Sequence, residues 1–128
     1  MLYIILLIVV LFIGWSYIKA RVRINEANKR QAMRKLNNME KTGVFEGSYP
    51  TWMANQNRIE EFLGMIVAGA KRSNVPEYFL DPVISDKEQM KRLIFAAGAM
   101  EEQGSSFEEQ AIFVSDIIVE AWNREKYS

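Results

Sequence analysis

Residues 1–18 read MLYIILLIVVLFIGWSYI, without one charged side chain, and Lys19, Arg21 and Arg23 follow at once. At about 1.5 Å of rise per residue such a run makes a helix of about 27 Å, close to a hydrocarbon core of about 30 Å. Its twelve Leu, Ile, Val and Phe residues contribute on the order of −4 to −7 kcal/mol together on an insertion scale, with no charge opposing them. The stretch therefore predicts a single transmembrane helix. A cleaved signal peptide would need a basic start, a shorter apolar run and small residues at the cut. The basic start is missing and the run is too long, so the reading is a retained anchor, with Tyr3 near one interface and Trp15 and Tyr17 near the other.

Outward from the anchor, charge sets the orientation. Residues 19–42 hold eight basic and two acidic residues, and residues 43–128 hold eight basic and fourteen acidic, so a net charge of zero conceals a basic collar followed by an acidic domain. Seven Lys or Arg fall within about 20 residues of the anchor's C-terminal end and none precedes it. This bias predicts an N-terminus outside a cell (inner or plasma) membrane and a C-terminal domain in the cytoplasm.

The collar has good helix formers and no Gly or Pro, so the membrane helix is expected to continue through residues 19–42 as a basic juxtamembrane helix. Ile24, Ala27 and Gln31 share a face while Val22, Met33, Leu36 and Met39 scatter, and no amphipathic seam is expected. Lys19, Arg21, Arg23, Lys29 and Arg30 are candidate contacts for anionic lipid, each worth about 1 kcal/mol near the surface. Nucleic acid is disfavoured as a partner, because no aromatic residues interleave the basic ones.

Residues 43–50 (GVFEGSYP) read as a hinge. Residues 51–128 then read as a small bundle of three helices in an all-α protein. The first, over residues 51–72, has Trp52, Ile59, Phe62, Leu63, Ile66, Val67 and Ala70 on one arc. The second, over 86–103, opens with a capping box from Ser85 to Glu88 and buries Met90, Leu93, Ile94, Ala97 and Met100. The third, over 106–126, has Glu108 and Glu109 in its first turn and buries Phe107, Ala111, Val114, Ile117, Ile118, Ala121 and Trp122. Between the first two, residues 74–85 (NVPEYFLDPVIS) contain two prolines together with the large apolar residues Tyr78, Phe79, Leu80, Val83 and Ile84, and are expected to be a lid closing one end of the bundle.

The chain has neither Cys nor His. This excludes disulfides, thiolate nucleophiles, histidine bases and Cys/His zinc sites. Residues 64–73 (GMIVAGAKRS) resemble a phosphate loop only superficially: Ala70 separates Gly69 from Lys71, and the segment continues a helix. Gly64 and Ala68 instead suggest close approach of another helix. Glu101, Glu102, Glu108 and Glu109 flank one turn and could be imagined as a carboxylate site for Mg²⁺ or Ca²⁺, but carry no Glu-x-x-His pattern. Ile112 and Val119, two turns apart and neighboured by Asp116, are candidates for a partner-binding stripe on the third helix.

No cofactor, small-molecule substrate or reaction is indicated. The reading is a membrane-anchored, non-enzymatic interaction module or accessory subunit of a larger membrane-associated complex, with the bilayer and another protein as partners. Alternatives are a membrane-bound enzyme or cation-binding protein using the four glutamates, and an anionic-lipid surface sensor.

Overall fold

The computed structural model describes the backbone over residues 2–127 and the side chains of residues 3–11 and 25–127. It is all-α: five α-helices and one 3-10 turn, with no strand among the described residues. Helix α1 (Leu2–Thr42) is continuous over 41 residues, about 62 Å long at the usual rise. It stops where Gly43 takes a φ of 73° and its N–H reaches the Met39 carbonyl, a left-handed exit that glycine makes without steric cost. Among the described residues no helix is long and apolar enough to cross a membrane. The anchor expected over residues 1–18 lies only partly within them, because residue 1 and the side chains of residues 2 and 12–18 are outside the described set.

The collar behaves differently from expectation. Asn28, Ala32, Leu36 and Met39 lie on one face of α1 and are buried, and α1 packs along helix α4 (Lys87–Glu102). A seam is present at helical spacing. Its first member is polar and its second is small, so a search for large apolar residues misses both. The second half of α1 is therefore part of the bundle.

After the hinge, a 3-10 turn (Thr51–Ala54) precedes helix α2 (Gln56–Arg72). The expected single helix over residues 51–72 is broken at Asn55, whose side chain accepts from the Asn57 and Arg58 N–H groups and starts α2 as its N-cap. Asn74, at a φ of 64°, ends α2 in a Schellman arrangement, with Val75 N–H on the Ala70 carbonyl and Asn74 N–H on that of Lys71.

The predicted lid is helix α3 (Glu77–Ser85). Pro76 occupies the cap position and Pro82, inside the helix, is exposed. Leu80 is fully buried, with Phe79, Val83 and Ile84 packed beside it, a stripe at helical spacing that the two prolines obscure. Phe79 and Tyr78 set their rings 5.3 and 5.9 Å from that of Trp122. Helix α4 starts at Asp86, whose carboxylate accepts from Gln89 N–H; the box expected from Ser85 to Glu88 does not form. Helix α5 (Phe107–Lys126) does open with a reciprocal box between Ser106 and Glu109.

Helices α4 and α5 pack together at the centre, flanked by α1 against α4 and α2 against α5, with α3 across both. Six successive residues of α4, Phe95 to Met100, are buried, as befits a helix covered on several sides. Gly98 makes this possible: a Cβ there would collide with the Ser48 carbonyl and crowd Pro50. The hinge is thus laid onto α4, with Tyr49 edge-on to Phe95 at 4.8 Å.

Candidate interaction grooves

Since Asn28 donates to the Gln103 carbonyl and to Ser105 Oγ (3.3 and 3.0 Å) while Gln89 donates to Glu40, α4 runs antiparallel to α1. The α4–α5 turn consequently lies at the end of the bundle nearest the N-terminal part of α1. The four glutamates bracketing that turn are not gathered into one site. Glu101 Oε1 accepts from Thr51 N–H at 2.9 Å, Glu109 closes the α5 capping box, and Glu102 and Glu108 are exposed. No group of three or more carboxylates able to hold a metal ion occurs among the described residues. The unfavourable position of Glu101 at a helix C-terminus is offset by its bond to the start of the 3-10 turn.

Of the collar residues, Lys29 is half-buried with its ammonium 3.8 Å from Glu26, and Arg30 is exposed. The side chains of Lys19, Arg21 and Arg23 lie outside the described residues.

The expected stripe on α5 splits. Ile112 is 53 % exposed and Asp116 is exposed, but Val119 packs against the core. Ile112 and Asp116 line a groove of about 370 Å³ between α2 and α5. Its floor comes from Gly69 rather than from Gly64: a Cβ on Gly69 would collide with Ser115 Oγ, whereas one on Gly64 would meet nothing. Arg72 and Asp116 give this groove charges of both signs.

A second groove, of about 260 Å³, opens between the 3-10 turn, α2 and the start of α4. Trp52, Phe62 and Met90 are its buried floor, and Met53, Ile59, Leu63, Ile84 and Ile94 are half-buried walls. The floor is rigid: Trp52 stacks on Phe62 at 4.2 Å and its indole N–H donates to the buried Gln110. Lys87 and Lys91 stand on the rim, and no acidic side chain lines it. Lys91 holds its ammonium 4.1 Å above the Phe45 ring, an attraction that fixes its position without neutralising its charge. Neither lysine has an ion-pair partner among the described residues.

Sequence reasoning passed over this groove because Ile59, Leu63 and Ile94 fit core arcs. No signal along the chain marks the difference, because which part of an arc stays uncovered depends on how the helices pack.

Compared with known protein families, curated proteins and solved structures, the chain matches none.

Proposed function

We propose that this chain is a membrane-tethered, non-enzymatic interaction module, an accessory subunit of a larger membrane-associated assembly, with its helical bundle on the cytoplasmic side. The observation that carries the reading is the run Tyr3 to Leu11. All nine side chains are apolar or aromatic, successive along α1, and 50–88 % exposed. Exposed apolar surface of that extent and continuity marks a segment that water is not meant to solvate. The uncharged sequence to residue 18 supplies the remaining length for a span, and the basic residues beyond it supply the inward bias.

About 35 Å of α1 precedes Asn25, the first described side chain of the packed half. With residues 1–18 in the bilayer, the acidic α4–α5 turn faces the membrane, which opposes flat docking of the bundle on anionic lipid. Lipid contact is thereby left to the collar, and the grooves farther out are left open to proteins.

Membrane fractionation tests the tether. The full chain should stay in the pellet after alkaline carbonate washing, a chain lacking residues 2–18 should not, and a reporter fused after Ser128 should report the cytoplasm. Release of the full chain by carbonate, or an external reporter signal, overturns the reading. Purification in mild detergent tests the module, which requires a stoichiometric partner.

A further inference from the structure

The second groove joins three features. Its walls are half-exposed Ile59, Leu63 and Ile94; its floor is braced by Trp52; and the only charged residues lining it, among the described residues, are Lys87 and Lys91. A volume of about 260 Å³ falls below the range of pockets that enclose a whole small ligand, about 300–1,000 Å³. It suits a few apolar side chains projecting from a larger body. The two lysines are four residues apart on α4, so their charges stand one helical turn from each other. Positive charge at the edge of an apolar groove steers and orients a segment that carries carboxylates beside its apolar side chains.

We propose that this groove binds an acidic amphipathic segment of a partner protein, whose apolar side chains enter between α2 and α4 and whose carboxylates meet Lys87 and Lys91. The inference rests on the interaction-module reading and names the site and chemistry of that interaction. A second copy of the chain is a poorer occupant. Its exposed apolar side chains with acidic neighbours, Ile112 beside Glu108 and Asp116 on α5 and Tyr78 beside Glu77 and Asp81 on α3, each stand singly. Docking of α5 into this different surface would also be head-to-tail and would not close in pairs.

The test uses the full chain in phosphatidylcholine nanodiscs and two labelled synthetic helical peptides. Both have leucines at helical spacing; one has glutamates flanking them and the other has lysines there. With binding to empty discs subtracted, the glutamate peptide should bind about tenfold or more tightly than the lysine peptide. Lys87→Glu with Lys91→Glu should invert that preference and lower the melting temperature by only a few degrees, the loss coming from the Lys91 ammonium leaving the Phe45 ring. Lys87→Glu alone, at the exposed position, should reduce the preference partway and leave the melting temperature within about two degrees. Equal binding of the two peptides, or a preference that charge reversal does not change, overturns the proposal. So does concentration-dependent self-association that the reversal abolishes, which would seat a second copy in the groove. If a stoichiometric partner co-purifies equally with wild type and the double variant, the groove assignment fails while the module reading stands.

Discussion

The indole N–H of Trp52 donates to Gln110 Oε1 at 2.8 Å inside the bundle, and the Gln110 amide donates onward to the Ser105 carbonyl at 3.2 Å. Gln110 is 1 % exposed. One polar side chain on α5 therefore ties the 3-10 turn to the α4–α5 turn, and both of its amide atoms are satisfied.

Replacing Gln110 with Ala should cost about 2–4 kcal/mol, from the cavity and from an indole N–H left buried without an acceptor. Denaturant unfolding of Gln110→Ala, Trp52→Phe and the double variant should give a coupling of about 1–2 kcal/mol. Additive effects would show that the bond contributes nothing beyond packing.

Truncation separates the two halves of α1. A fragment of residues 25–128 should unfold cooperatively, whereas one of residues 43–128 should lose fixed tertiary packing, because Ala32, Leu36 and Met39 cover α4 at 0–2 % exposure. Near-ultraviolet circular dichroism distinguishes the outcomes: a native-like spectrum from the shorter fragment would mean that α1 is dispensable to the core.

Three glycines should respond in two directions. Gly98→Ala drives a methyl into the hinge backbone at Ser48, and Gly69→Ala drives one into the buried Ser115; each should destabilise by about 1–3 kcal/mol. Gly64→Ala meets open space in the middle of α2 and should stabilise by about 0.5–1 kcal/mol through helix propensity. Thermal melts of the three variants check the order.

On α5, Val119→Ser should cost about 1–2 kcal/mol, because Val119 packs against the core. Ile112→Ser should stay within about 0.5 kcal/mol, as expected for a residue 53 % exposed. Equal losses at both positions would contradict this division.

The sequence by itself determined what depends on neighbours along the chain. Glu108 and Glu109 stand in the first turn of α5 as expected, and the caps are equally local chemistry, although Asp86 takes the place of the box expected from Ser85 to Glu88 and an additional box forms between Ser106 and Glu109. The apolar arcs around Phe62 and Ile66, Leu93 and Ala97, and Val114 and Ile118 point inward, since a period of 3.6 residues identifies the buried face of a helix whatever covers it. Tertiary structure decided which element covers which face. Asn28 becomes a core residue only because Gln103 and Ser105 arrive beside it from 75 and 77 positions away. Pro82 can remain inside α3 because its side of that helix meets solvent while Leu80 is held in the core. The Lys87–Lys91 groove exists because the 3-10 turn, α2 and α4 leave a gap over Trp52 that no segment of the described chain fills. Which face is apolar follows from periodicity, but whether it is covered is a property of long-range packing.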